Sequence, residues 1–244
     1  MTDGDGTIAL LGDAHLYEGD HEVQAFLDFL AAFPADIDTL VILGDLFSAW
    51  IGRPELQRPH HQVVVEALCR LRRRGRRILY IEGNHDFFLQ RLFSGDPFDS
   101  LAERSLDLTV GGRQVHLAHG DLVNRRDHQY LACRAVSKSR VFYSLFNLLP
   151  AARRHDIVER LERRMAKTNM AFRGGFPYDA CELYARRKMA AGTEILVFGH
   201  FHEEIRVDYS DGKIHATAYV LPAWRSGHTY LRLSPGTEPA FVSS

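Results

Sequence analysis

Ile78-Leu79-Tyr80-Ile81-Glu82-Gly83-Asn84-His85-Asp86 is the stretch on which the reading of this chain turns. Ile78 to Ile81 reads as a short buried strand. It stops at a glycine and then delivers three polar side chains in succession. Turn chemistry accounts for the Gly and for an Asn, but it does not call for a His and an Asp as well. Asn, His and Asp together suit a site that holds a cation and moves a proton.

The same grammar recurs on both sides. Thr7–Leu11 is an apolar run that ends in Gly12-Asp13-Ala14-His15. Thr39–Leu43 ends in Gly44-Asp45-Leu46-Phe47, Gln114–Ala118 in His119-Gly120-Asp121, and Glu194–Phe198 in Gly199-His200-Phe201-His202. Helical spacing between the first three runs (Val23, Phe26, Leu27 and Leu30, then Val64, Leu68 and Leu71) gives strand–helix–strand–helix–strand, which implies parallel pairing. Pro34 and Gly75 stop the two helices. Gly111-Gly112 joins Leu106–Val110 to Gln114–Ala118 as a hairpin. Residues 122–192 are helical in character. The tail, Ile205–Tyr209, Lys213–Ala218 and Thr229–Leu233, alternates polar and apolar around Asp211-Gly212 and predicts antiparallel strands.

In open α/β sheets the carboxyl ends of strands face the ligand crevice. Five such ends converging there would assemble Asp13, His15, Asp45, Asn84, His119, His200 and His202 in one pocket, with His85 beside them. Oxygen and nitrogen donors without thiolate fit Mn, Fe or Zn rather than Ca. A continuing strand would leave residues i and i+2 on one side, so Asp13 and His15, and likewise His200 and His202, are expected to share an ion. Asp45 has two oxygens and can bridge two ions. Paired ions clamp both oxygens of an in-line phosphoryl displacement and lower the pKa of water.

Size and charge narrow the field. The chain has 244 residues, room for one large domain or a domain with an insertion. Its net charge of -1 does not suit a protein that coats nucleic acid or anionic membrane. Residues 121–190 hold 15 Lys/Arg against 7 Asp/Glu, so the basic charge is concentrated in the helical segment. Cys69, Cys133 and Cys181 are odd in number and form no CxxC pair, which points to reduced thiols. The opening residues lack a signal-peptide pattern, and the most apolar run, Val141 to Ala152, is short and contains Pro150, so no spanning helix is expected.

The blocks Asp13-x-His15, Gly44-Asp45, Gly83-Asn84-His85-Asp86, His119-Gly120-Asp121 and Gly199-His200-x-His202 resemble the signature of calcineurin-like metallophosphoesterases, in family order across residues 8–202. The resemblance implies an α/β fold, a four-layer α/β/β/α sandwich around two mixed sheets. Its core is expected over 1–121 and 193–244, with a helical cap inserted over 122–192. It implies one metal on Asp13, His15, Asp45 and His202, and another on Asp45, Asn84, His119 and His200. His85 would protonate the leaving oxygen or stabilise phosphoryl charge. Asp86 would orient that region or cap a helix beginning at Phe87.

Specificity is expected in the cap. Val141, Leu145, Leu148 and Leu149 share a helical face, widened by Phe142 and Phe146. On spacing alone that face is read as packing against the main domain; bordered by basic residues, it also suits an acyl chain beside a phosphate. His119-Gly120-Asp121, Asp127, Tyr130, Arg134 and the Phe/Leu-rich turn to Leu149-Pro150 resemble the cap of bacterial UDP-2,3-diacylglucosamine hydrolases. That resemblance implies hydrolysis of the diphosphate of a lipid-linked nucleotide sugar to UMP and 2,3-diacylglucosamine 1-phosphate. It also implies two divalent ions, typically Mn2+, and a cytoplasmic enzyme peripheral on the inner face of the bacterial inner membrane. Two departures stand out: His85 occupies the place of that group's usual Arg, and Leu122-Val123-Asn124-Arg125-Arg126 replaces a polar stretch.

Arg125, Arg126, Asp127, Arg134, Lys167 and Asn169 are the candidate substrate contacts, Lys167 and Asn169 otherwise forming part of a solvated helical face. Phe47 and Trp50 are expected to wall the pocket, and His228 to approach it from the tail. His60, His61 and His128 fit no ligand pattern and are read as surface residues or neighbours of the ligands. No nucleic-acid or obligate protein partner is expected. The alternative reading is a soluble phosphodiesterase or nucleotide pyrophosphatase whose insertion is only a lid.

Overall fold

The structure is a computed structural model that describes residues 3–4, 6–168, 175–212 and 214–244. In chain order the first half runs β1 (Asp3–Gly4), β2 (Ile8–Leu11), α1 (Glu22–Ala31), β3 (Thr39–Ile42), β4 (Trp50–Ile51), α2 (Pro59–Arg73), β5 (Arg77–Ile81), β6 (Asp86–Phe87), β7 (Ser100–Ala102), β8 (Ser105–Val110) and β9 (Arg113–Ala118). The helices α3 (His128–Ser137), α4 (Arg140–Leu148), α5 (Ala151–Thr168) and α6 (Tyr178–Met189) follow. The chain closes with β10 (Ile195–Phe198), β11 (Ile205–Ser210), β12 (His215–Val220), β13 (Thr229–Leu233) and β14 (Ala240–Ser243).

The long strands form two six-stranded sheets, ordered β14-β13-β2-β3-β5-β7 and β1-β8-β9-β10-β12-β11. As expected, β2, β3 and β5 pair in parallel, with Leu11 opposite Ile42 and Ile42 opposite Tyr80. The hairpin of β8 and β9 turns on Gly111 and Gly112, both with positive φ, the backbone that a two-residue hairpin turn requires. The tail divides: β11 and β12 pair antiparallel, while β12 lies parallel to β10 and β13 crosses to pair antiparallel with β2 in the other sheet.

The uninterrupted apolar runs have a simple cause, because each central strand is buried on both faces. Leu10, Val41, Leu79, Leu117 and Val197 point between the sheets. Their neighbours Leu11, Ile42 and Tyr80 face the other way, toward Phe26, Leu30, Val64 and Leu68 of α1 and α2. On the far side, Leu196, Phe198, Ala216 and Ala218 receive Cys181, Ala185 and Met189 of α6. Four layers result, α1 and α2 outermost on one side and α6 on the other. Although α6 lies inside the expected insertion 122–192, it packs as the outer layer of the core, which leaves α3, α4 and α5 for the expected cap.

Packing moves several side chains from their expected places. Phe47 and Trp50 do not wall a pocket: both are fully buried in the core beside α2. The apolar face of α4 packs on the main domain only in part. Phe146 turns inward, to Leu56 and Val158, while Val141, Leu145 and Leu148 stay exposed, Leu148 by 80%. Among the described residues no helix is long and apolar enough to cross a membrane.

Candidate metal centre

Parallel registry brings the carboxyl ends of β2, β3 and β5 to one edge of their sheet. The parallel pair β9 and β10, with Ala118 opposite Phe198, does the same in the other sheet. The two edges meet. Beyond them the chain does not continue as strand. Asp13, His15, Asp45, His200 and His202 all have left-handed backbone, with φ between 46° and 69°. Each such residue costs on the order of 1–3 kcal/mol, though Asp and His tolerate the conformation better than most. Pairing offsets part of that cost: the Asp13, His15 and Leu16 N–H groups donate to the carbonyls of Gly44, Asp45 and Leu46.

The left-handed turns change which residues meet. His200 and His202 separate. The His202 ring joins Asp13 and His15, its Nε2 3.2 Å from that of His15 and 3.3 Å from Asp13 Oδ1. The His200 ring instead lies 5.1 Å, centroid to centroid, from His119. Asp45 Oδ2 is 3.5 Å from His119 Nε2 and 3.8 Å from His85 Nε2, and Asn84 Oδ1 is 2.9 Å from His119 Nε2. Donor atoms of Asp13, His15 and His202, of Asp13, Asp45 and His119, and of His15, Asp45 and His85 each fall within 4.8 Å of one another. All seven expected ligands and His85 therefore border one buried space.

The hydrogen bonds around this space leave donor atoms aimed into it. Asp13 Oδ2 accepts the His200 N–H at 2.7 Å, whereas buried Oδ1 accepts no aligned hydrogen bond. Asp45 Oδ1 accepts the His85 N–H at 2.9 Å, leaving Oδ2 toward the imidazoles. His119 Nδ1 donates to the Leu43 carbonyl at 2.7 Å, and His85 Nδ1 to that of Ser48 at 2.7 Å, so both Nε2 atoms face inward. A carbonyl fixing one ring nitrogen is the usual partner of a metal-ligating histidine. A carboxylate oxygen without an aligned donor, among inward imidazoles, fits a cation.

Charge agrees with the geometry. Burial raises the Asp45 carboxyl, but His85, His119 and His15 outweigh it and hold the group well below the carboxylate range. Burial presses His15 down to about 3, and burial with His119 presses His200 to about 4. Both rings are thus neutral at pH 7, the form that binds metal. His119 goes the other way: burial opposes its charge, yet Asp45, Asp13 and Asp121 lift it to about 9. Its proton balances the carboxylates where a metal ion would.

The glycines of the blocks have a steric reason. A Cβ on Gly83 would stand 2.1 Å from Asp45 Oδ1, and one on Gly199 2.6 Å from Asp13 Oδ2. Asp86 is no helix cap. It lies in β6, fully buried, and its Oδ2 accepts from the N–H groups of Asp45 and Gly83 and from the Tyr80 hydroxyl. Of the two roles expected for Asp86, orienting that region is the one the structure bears out; what the sequence did not show was its partner Tyr80.

The other candidates scatter. The Arg134 guanidinium is held by buried Asp121, which also accepts from Tyr130. Asp127 caps α3 through the Tyr130 N–H and lines a cavity of about 310 Å3 with Asn124, Tyr130 and His200. Arg125 and Arg126 are exposed. Lys167 belongs to α5; Asn169 lies outside the described residues. His228 does not reach the centre, stacking on Trp224 and bonding Glu22 instead.

His128 is exposed, but His60 and His61 are buried, not on the surface, and with Glu162 of α5 they form a further donor cluster behind Phe47. It does not suit a metal. His61 Nδ1 accepts the Arg58 N–H, which leaves the proton on Nε2, and Arg58 Nη1 sits 3.1 Å from Glu162. The cluster ties the cap to α2.

A family comparison agrees with this arrangement: calcineurin-like phosphoesterase matches residues 6–204. The chain is 30% identical over 249 residues to a UDP-2,3-diacylglucosamine hydrolase of Ralstonia nicotianae, covering 95% of this chain and 90% of that one. It is 30% identical over 230 residues to the enzyme of the same name from Klebsiella pneumoniae subsp. pneumoniae, covering 92% and 94%. Among solved structures, a dimetal phosphatase from Danio rerio aligns at a TM-score of 0.46 and 12% identity, over 99% of both chains.

Proposed function

The chain belongs to the calcineurin-like phosphoesterase family, and from that premise we propose that it hydrolyses the diphosphate of UDP-2,3-diacylglucosamine to UMP and 2,3-diacylglucosamine 1-phosphate. The observation that carries the choice of substrate is an apolar cavity of about 380 Å3 between cap and core. Phe87, Phe88, Phe142, Phe146, Ile157 and Leu161 line it, with only Ser137 and Arg160 polar. Its floor, Phe87 and Phe88, follows directly on Asn84-His85-Asp86. A ligand that places phosphate among the donors and hydrocarbon on those rings is an acylated phosphoester.

Two divalent ions, manganese in this reading, would sit on Asp13, His15, Asp45 and His202 and on Asp45, Asn84, His119 and His200. Bound there, they would activate water and withdraw phosphoryl charge. Asp45 would belong to both sets. His85, its Nδ1 tied to Ser48, presents Nε2 to the pocket and as imidazolium would pass a proton to the leaving oxygen. Asp127 borders the cavity beside His200, a place for sugar hydroxyls, and exposed Arg125 and Arg126 are the cations for the diphosphate. Exposed Val141, Leu145 and Leu148 on α4 would rest at the membrane surface where such a substrate resides.

The test is UMP release from UDP-2,3-diacylglucosamine with and without Mn2+. Manganese-dependent release is expected. Turnover of water-soluble phosphodiesters with the acylated substrate inert would end the proposal. Phe142→Asp should weaken both liposome binding and activity on the acylated substrate.

A further inference from the structure

Gly83 joins β5 to Asn84 and His85, and three restraints hold it. Its N–H donates to Asp86 Oδ2 at 2.8 Å. Its Cα has no room for a side chain against Asp45. Both of those come from the core. The third comes from the cap: Lys138, the residue that ends α3, donates from Nζ to the Gly83 carbonyl at 2.6 Å. The same ammonium lies 3.5 Å from Glu82 Oε2, and the two side chains are only 14% and 3% exposed. Glu82 Oε1 in turn accepts the Leu89 N–H at 2.8 Å, beyond the far end of the loop.

That carbonyl belongs to the Gly83–Asn84 peptide. Fixing it fixes the plane from which the Asn84 side chain departs toward His119 and from which the His85 N–H reaches Asp45. We propose that Lys138 is a positioning residue of the metal centre, a cap side chain that sets the Gly83–Asn84 peptide so that Asn84 and His85 are in place only when the cap is seated. The inference rests on the metal-centre part of the function proposed above. It extends that function by making the cap a component of the reaction site as well as a wall for the acyl chain. A buried ammonium between a carbonyl and a carboxylate is well suited to this, because the Lys stem is long and its three donors can be shared.

The test compares the full chain with Lys138→Met, Lys138→Arg and the pair Lys138→Met/Glu82→Gln. The last removes the carboxylate that Lys138→Met would leave unpaired, so a folding defect is separated from a positioning one. Mn2+ binding by calorimetry is read first, then kcat and KM for UMP release. Lys138→Met and the double variant should bind one of two Mn2+ ions about ten-fold more weakly, the usual size for loss of a group behind a ligand. They should also lower kcat with KM within about two-fold, and Lys138→Arg should restore both. Unchanged Mn2+ affinity and kcat, with KM alone raised, would overturn the proposal by making Lys138 a substrate contact. Mn2+ binding needs no substrate, so an inert acylated lipid would defeat the substrate reading while the binding comparison still decides this one.

Discussion

Replacing Gly83 by alanine adds one methyl group, and its consequence can be worked from the coordinates. Gly83 has an ordinary backbone conformation, since its φ is not among the positive ones, so alanine brings no torsional strain. The whole effect is steric. The new Cβ would lie 2.1 Å from Asp45 Oδ1, 2.8 Å from Asp45 Cγ and 2.9 Å from His119 Cε1. Ordinary contact requires the carboxylate to withdraw by about 1 Å or more. Asp45 cannot do so without losing the His85 N–H bond at 2.9 Å and shifting Oδ2 away from His119 and His85. A displacement of about 1 Å at a reacting centre costs on the order of 100-fold in rate. Gly83→Ala should therefore lose about two orders of magnitude in kcat and retain less than two Mn2+ ions per chain. Gly75→Ala is the contrast: its φ is +84° and nothing lies within 4 Å of the added Cβ. It should cost about 1 kcal/mol of stability and leave turnover alone. The assays are Mn2+-supported UMP release, metal content after desalting, and urea unfolding. Activity of Gly83→Ala within three-fold of the parent, with both ions bound, would refute the reasoning.

Two further outcomes follow from the same geometry. In metal-free protein His119 titrates near 9, above the usual 6.5, so its stabilising contribution is complete below pH 6.5 and disappears as pH rises through 9. His15 and His200, near 3 and 4, stabilise above pH 6.5 and lose that contribution as pH falls toward those values. A thermal melt of the metal-free chain should peak near pH 6.5, and Mn2+ should bind more tightly as pH climbs toward 9; a flat Tm from pH 6.5 to 9 would contradict this. Asp86→Ala leaves three buried donors without an acceptor and should cost roughly 3 kcal/mol or more in urea unfolding. Asp86→Asn keeps an oxygen there and should cost clearly less. Equal losses would show that the Asp86 hydrogen bonds are not what matters.

Much of the fold was legible because its signals are local. β2, β3, β5, β9 and β10 are apolar on both faces, so each reads as an unbroken run. Gly111-Gly112 announced its hairpin because a two-residue turn needs positive φ. Other features depend on partners the sequence does not adjoin. α6 looked like part of the insertion because it follows three cap helices; only Leu196, Phe198 and Ala218 across from it make it a core layer. The face of α4 had the spacing of a packed helix, and spacing cannot say whether anything lies opposite. Trp50 followed a ligand block and looked like a pocket wall, whereas neighbours from distant segments enclose it, Tyr80 and Phe98 among them.

The sequence by itself determined which side chains could bind a cation, the runs of strand that deliver them, and their order along the chain. Side-chain chemistry and apolar periodicity are written residue by residue. Tertiary structure decided the company each ligand keeps. His15 meets His202 across 187 positions, while His200, two residues from His202, turns to His119. A pleated continuation would have kept the two histidines together. The left-handed turns at Asp13, His15, Asp45, His200 and His202 part them. Two closely packed sheet edges can hold that unfavourable backbone in place, and a short stretch of chain cannot, because the hydrogen bonds that offset its cost come from the neighbouring strand ends.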